Sequence, residues 1–228
     1  MILVLTTSCM QEKLKTKLVL FDLDGTLIDT APDFLLSLNN ILIKHGKKTL
    51  RLSDIRSIVS DGSAKLVEFG FNVSSDDKQA AVYRSELLIE YKKNLMKSSK
   101  LFTGVKELIN YLVKENIIFG IVTNKPYEYA YPLVNNFKML KKSKILICPE
   151  HLSKTKPDPE GILLACSKLN ITPKNCVYIG DHPKDIQAGI NAGTRTIGCL
   201  YGYSITKESN SFNIPLVKNA DNIIELIK

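Results

Sequence analysis

Two periods of apolar spacing succeed one another along the 228-residue chain, and the change of period divides it. The run Leu18, Val19, Leu20, Phe21 is short, apolar and partly β-branched or aromatic. A turn at Gly25 stops it, which predicts a buried strand ending in a tight loop. Helical spacing takes over next. Thr30-Ala31-Pro32-Asp33 has the composition of a helix start, with Thr30 as cap and Asp33 answering it three residues on. Phe34, Leu35, Leu38, Ile41 and Leu42 then recur by threes and fours until His45-Gly46. Ser53 or Asp54 is expected to cap a short helix through Ile58 and Val59, Asp61-Gly62-Ser63 to break it, and 64–69 to start another. Within 76–96, Ala80, Tyr83, Leu87, Leu88 and Tyr91 line one face of a long helix. Residues from about 31 to 100 thus read as all helix, with no strand signal.

After Gly104 the two periods alternate. The pattern predicts a helix over 105–115, a strand over 117–122 and a helix over 127–137 that Pro132 should kink or shorten. A short strand at 145–148, a helix at 159–169, a strand at 176–179, a helix at 184–192 and a strand at 195–199 follow, while 200–218 is weakly patterned and 222–227 closes as a helix. Such alternation implies an α/β fold, a doubly wound parallel sheet with helices on both faces. The domain reading is a core made of 1–30 and 101–228, with 31–100 inserted as a small all-helical cap.

Composition narrows this picture. A hydrophobic content of 44% and a charged content of 24% are those of a globular domain. No apolar run approaches the roughly 20 residues that span a bilayer. The first stretch, MILVLTTSCMQEKLKTK, is too briefly apolar for a secretory signal and reads as an extension before the first strand, with Met10 as an alternative start and a lipoprotein role for Cys9 disfavoured. Five scattered cysteines without a C-x-x-C pair suggest reduced, mostly buried thiols in a cytoplasmic protein. The net charge of +8 raises the question of nucleic acid, but the lysines are dispersed and not interleaved with aromatics. A solvated basic surface that attracts small anions is the better account. The partners expected from this are small anions, with no nucleic acid and no membrane, and the chain a monomer or homodimer.

The chemistry concentrates where the strands should end. Asp22 and Asp24 flank Leu23 at the close of the first strand. Two carboxylates this close in a poorly solvated site repel strongly, and a bound divalent cation is the simplest remedy. Gly25 lets the backbone approach a ligand, and the Thr26 hydroxyl can brace the turn or bond an anion. Thr123, Lys156 and Asp181 follow in order at strand ends or loops, and ligands of open parallel sheets bind outside the carboxyl ends of the strands.

FDLDGTLIDT, IVTNKP, KTKPDPEGIL and IGDHPKDIQAGINAG together resemble the four motifs of the haloacid dehalogenase (HAD) superfamily of aspartate-nucleophile phosphatases. The helical insert is similar to the cap of its phosphoglycolate phosphatase-like branch, and GDHPKDIQAGINAGTRTIGCLYGYS to that branch and the allied N-acetylmuramic acid 6-phosphate phosphatases. KLFTGV at 100–105 departs from it, since relatives carry a Pro-Gly turn there. The resemblance implies a Rossmann-like core and a Mg²⁺-dependent phosphatase whose partner is a small phosphorylated metabolite. In that chemistry Asp22 attacks phosphorus, and Asp24 protonates the leaving alkoxide and then deprotonates water. Thr123 Oγ and the amide of Asn124 hold phosphoryl oxygens, and Lys156 neutralises growing charge. Asp181 completes the Mg²⁺ shell with Asp22 and the backbone carbonyl of Asp24. Asp185 braces Lys156 or a metal-bound water. IVSDGSAKLVEFG resembles the cap loop facing the substrate, which makes Ser63 and Lys65 candidate contacts. A β-phosphoglucomutase-like mutase would keep every core residue and stays open. A dehalogenase has no use for Asp24 as an acid. A non-catalytic nucleic-acid-binding module is the reading from another class.

Overall fold

The computed structural model describes residues 15–206 and 212–228. Cys9 and Met10, and the expectations attached to them, lie outside the described residues. The centre is a six-stranded, all-parallel sheet made of β1 (Leu18–Phe21), β4 (Ile118–Val122), β5 (Leu146–Ile147), β6 (Cys176–Gly180), β7 (Arg195–Cys199) and β8 (Leu216–Val217), in the order β5-β4-β1-β6-β7-β8. β1 lies between β4 and β6, so its residues are covered on both faces and both edges. Successive side chains of a strand point to opposite faces. Val19 and Phe21 accordingly join one core cluster, with α5 (Val105–Lys114), α6 (Tyr127–Asn136) and α9 (Ile223–Ile227). Leu18 and Leu20 join another, with α7 (Glu160–Lys168) and α8 (Pro183–Asn191). This is the doubly wound α/β fold the alternation predicts.

Between β1 and β4 come α1 (Ala31–Lys44), α2 (Leu52–Ile55), a 3₁₀ turn over Arg56–Asp61, α3 (Ser63–Phe71) and α4 (Lys78–Asn94). They bury their own cluster, in which Leu38, Leu42, Leu66, Leu87 and Tyr91 are almost fully covered. The expected all-helical reading needs one correction here. β2 (Ile28–Asp29) and β3 (Lys100–Leu101) pair antiparallel and bracket the helices. Each has two residues, too few to show a period.

Two caps also differ from expectation. Thr30 makes no capping bond to the start of α1, because its hydroxyl is spent on Asp24 at 2.5 Å. The Tyr203 hydroxyl, from the loop after β7, accepts from the Thr30 and Ala31 amides instead, at 2.7 and 3.0 Å. Asp33 does not answer Thr30 either. It accepts from the Met96 and Ser98 amides and the Ser99 hydroxyl, tying the exit of α4 to the entry of α1. Arg51, not Ser53 or Asp54, is the capping position of α2, with Asp54 reaching back to its amide. α6 runs unbroken through Pro132, whose missing amide would have met the carbonyl of Glu128 on an exposed turn where water can replace it. The weakly patterned 200–218 supplies β8, a two-residue edge strand.

Candidate active site

The site gathers where β1, β4 and β6 end. Asp22 follows β1 directly and donates its amide to Ile179 of β6, so its carboxylate is carried by the most constrained strand. Asp181 follows β6, and Asp185 sits one turn into α8, where it also accepts from the His182 amide. Ligand oxygens of Asp22, Asp181 and Asp185 all lie within 4.8 Å of one another, and all three residues are buried. Lys156 is buried among them, with Nζ 2.6 Å from both Asp22 Oδ1 and Asp185 Oδ1, 3.0 Å from the Tyr178 hydroxyl and 3.2 Å from the Val122 carbonyl.

Burial dominates the titration of this cluster. It pushes Asp22 up to about 7, against the pull of Lys156. It pushes Asp181 well above the usual carboxylate range, with the charges of Asp185 and Asp22 adding to the effect and the Tyr203 amide and Thr26 hydroxyl opposing it. Burial alone would lower Lys156, but Asp185 and Asp22 outweigh it and hold the ammonium protonated. Three buried carboxylates thus cluster with one ammonium paired to two of them. Hard oxygen donors with too little positive charge among them fit a divalent cation such as Mg²⁺.

The loops are built around this need. Gly25 has φ +85°, open to glycine at no steric cost, and a Cβ there would lie 2.3 Å from Asp181 Oδ2. A Cβ on Gly202 would stand 2.2 Å from Asp181 Cβ and 2.5 Å from the Gly25 carbonyl. Asp181 is therefore wedged between two backbones that come this close only without side chains. Asn124 brackets Lys156 with two bonds of 3.1 Å, accepting its amide and donating to its carbonyl.

These residues open into a cavity of about 280 Å³, at the small end for ligand sites. Asp22, Asp24, Thr123, Asn124, Lys156 and Asp185 line it from the sheet side, and Ser63 from the helical insert. Thr26 lies behind it, its hydroxyl 2.9 Å from Asp181 Oδ1. The site residues expected from the sequence converge, with one correction. Lys65 does not line the cavity, because it pairs with Glu68 at 2.6 Å on the exposed flank of α3. The Asp24 carboxylate stands apart from the cluster, held by Thr30 and Lys125; the part expected of Asp24 in a metal shell is that of its backbone carbonyl. Asp185 lies in the cluster as well as bracing Lys156.

Lys125 is a residue of the cavity that motif spacing did not single out. Its Nζ lies 3.0 and 3.2 Å from the two oxygens of Asp24 and 2.9 Å from the Tyr91 hydroxyl, over the rings of Phe34 and Tyr91. It stands next to Thr123-Asn124 in IVTNKP, and that adjacency is the signal that could have found it. Tyr203 and Gly202 come from a stretch with no period to read.

A parallel sheet carrying an acidic triad and a buried lysine at its strand ends defines a class of hydrolase. Residues 19–199 match the haloacid dehalogenase-like hydrolase family, and the chain belongs to it. Among curated relatives, it is 38% identical over 214 residues to the N-acetylmuramic acid 6-phosphate phosphatase of Pseudomonas aeruginosa, covering 94% of this chain and 92% of that one. It is 33% identical over 208 residues to the phosphoglycolate phosphatase of Xanthomonas campestris pv. campestris strain 8004, covering 91% of each. A crystal structure from Haemophilus somnus 129PT, described as a predicted phosphoglycolate phosphatase, superposes with a TM-score of 0.79 at 25% identity over 93% of this chain and 98% of that one. Among the described residues no helix is long and apolar enough to cross a membrane.

Proposed function

We propose that the chain is a Mg²⁺-dependent phosphatase of small phosphate monoesters, phosphoglycolate-like or sugar phosphates, working through an aspartyl-phosphate on Asp22. One convergence carries this: buried Asp22 and Asp185 on the ammonium of Lys156, with Asp181 clustered against the two carboxylates, at a cavity that also takes in Asp24, Thr123 and Asn124. Mg²⁺ held by Asp22 and Asp181, with Asp185 and the backbone carbonyl of Asp24 in support, would screen the dianion and polarise the phosphoryl group.

An Asp22 oxygen attacks phosphorus and the ester P–O bond breaks. Asp24 gives its proton to the departing alkoxide, then takes one from the water that cleaves the acyl phosphate, releasing phosphate and restoring the Asp22 carboxylate. Lys156 offsets the charge gathering on the transferring oxygens, while Thr123 Oγ and the Asn124 amide orient them. Lys125 keeps the Asp24 side chain in one place between these transfers. The helices over 31–100 act as a cap whose side chains choose the leaving group, in line with the phosphoglycolate and N-acetylmuramic acid 6-phosphate named for the relatives. Four buried free thiols, Cys148, Cys166, Cys176 and Cys199, suit a cytoplasmic enzyme.

Asp22→Asn tests the assignment. It should abolish phosphate release from p-nitrophenyl phosphate with Mg²⁺ while the far-UV spectrum and unfolding midpoint stay those of a folded protein. Near-normal turnover would defeat it.

A further inference from the structure

We infer that the pole of the molecule opposite the cavity, where the strands of the sheet begin, is a docking surface for an anionic lipid membrane. The inference stands apart from the phosphatase reading, since none of its residues belongs to the site at the strand ends.

The parallel sheet gathers here lysines that are dispersed along the chain. Its strands all start at one pole, so the residues before them are neighbours whatever their separation in sequence. Lys17, before β1, donates its amide to the Asn175 carbonyl at 3.0 Å and accepts from the Ile118 amide at 3.1 Å, which sets it beside Lys174 at the approach to β6. Lys144, before β5, donates its amide to Phe119 of β4 at 2.8 Å, with Lys142 just behind it in the turn Leu140–Lys142. Lys114 and Lys168 stand in the last turns of α5 and α7, a few residues before β4 and β6. All six are exposed, and among the described residues none has a carboxylate within 4.0 Å. In the segments that meet at this pole, 15–18, 113–118, 138–146, 167–176, 190–196 and 224–228, the acidic residues are Glu115 and Glu225, and Glu225 is already paired with Lys228. A cation in the last turn of a helix answers the helix dipole, which accounts for Lys114 and Lys168 without any partner. Lys17, Lys142, Lys144 and Lys174 have no α-helix end to answer, and their mutual repulsion is relieved by an anionic surface.

A second observation tells which surface. Val113, Ile190 and Leu226 are exposed, by 41%, 41% and 40%, and they stand in the last turns of α5, α8 and α9, at the same pole. Aliphatic side chains among lysines match a bilayer interface, where ammonium groups meet anionic headgroups and aliphatic groups enter the acyl boundary. Single-stranded nucleic acid is held by aromatic rings instead, and the large exposed aromatic residues, Phe69, Tyr127 and Tyr131, lie on α3 and in the first half of α6, away from this pole. Dispersal of the lysines along the chain argues against a membrane partner, and the fold undoes that dispersal. Docked in this way, the cavity at the strand ends faces away from the bilayer and opens to water.

Co-sedimentation of the full chain with vesicles tests this. The protein should sediment with phosphatidylcholine vesicles that hold about 30% phosphatidylserine in low salt, and stay in solution with phosphatidylcholine alone. It should be released in about 1 M salt, where the Debye length is about 3 Å. Lys142→Gln, Lys144→Gln and Lys174→Gln together should weaken binding about 10- to 100-fold, up to about fivefold for each lysine. Removing as much charge from the insert, by Lys47→Gln, Lys48→Gln and Lys78→Gln, should leave binding unchanged, because these exposed lysines lie outside the pole. Both triple variants should keep the unfolding midpoint of the unchanged protein. Failure of the unchanged protein to sediment, equal losses in the two triple variants, or equal binding to neutral and anionic vesicles overturns the inference. So does tighter binding of a short DNA duplex than of the vesicles that disappears in the pole variant, which would make the partner a nucleic acid. Turnover of p-nitrophenyl phosphate without vesicles reports separately on the phosphatase reading and should be the same in all three proteins.

Discussion

Replacing Lys156 by Met in the metal-free protein strips the counter-charge from the carboxylate cluster and nearly preserves its volume. The ammonium is buried and 2.6 Å from each of Asp22 and Asp185, so its loss leaves both carboxylates without their cation. Breaking a buried pair by removing one partner costs about 3–5 kcal/mol. The cost must depend on pH, and the sign follows from Asp22. Its folded pKa of about 7 lies above the ordinary 3.8, so the folded state binds the proton more tightly. Stability from Asp22 is complete below the unfolded value and is lost as pH rises through about 7, by about 4 kcal/mol in all. Lys156 is the influence that lowers Asp22 most, so removing it moves that loss to higher pH and deepens it. Urea unfolding in EDTA at pH 5.0 and pH 8.5 reads the difference. With an m-value of about 2–3 kcal/mol per M, the midpoint of Lys156→Met should fall by about 1–2 M at pH 8.5 and clearly less at pH 5.0. A loss below about 1 kcal/mol at pH 8.5, or an equal loss at both pH values, would refute the electrostatic account of the site.

Other outcomes follow from single contacts. Gly202→Ala should force Asp181 and the Gly25 carbonyl apart, lowering kcat/KM for p-nitrophenyl phosphate at least about tenfold and stability by about 1–3 kcal/mol, both measurable in one preparation. Tyr203→Phe deletes the hydroxyl that serves the amides of Thr30 and Ala31 and donates to Asp29 at 2.8 Å. The midpoint in urea should drop by an amount worth about 1–3 kcal/mol. Lys125→Met frees the Asp24 carboxylate, so kcat should fall about 10- to 100-fold with KM little changed, and a purely KM effect would assign Lys125 to binding instead. Asp181→Asn removes one of three buried carboxylates, so Mg²⁺ should raise its thermal midpoint far less than that of the unchanged protein.

Much of the site was legible because its chemistry is carried by strand ends. A buried strand such as Leu18–Phe21 announces itself by composition, and the residue after it must lie at the rim of the sheet. Asp22, Thr123, Asp181 and the helix start bearing Asp185 could therefore be placed together before any coordinates were known. Lys125 was hidden for the opposite reason. Its place in the site comes from Asp24, in the loop after β1, and from Tyr91 and Phe34 in the helical insert, none of them related to it by any period. Lys65 shows the converse error, a residue whose local resemblance is good and whose side chain finds Glu68 three residues on instead.

Alone, the order of residues determined the element types, the parallel α/β class and the acidic constellation, because apolar periodicity and turn chemistry act over a few residues. Only the tertiary structure decided which carboxylate meets which ammonium, that Tyr203 and not Thr30 caps α1, and that two-residue strands bracket the insert. Those are contacts between segments far apart in the chain, chosen by burial and by the need of each buried polar group for a partner.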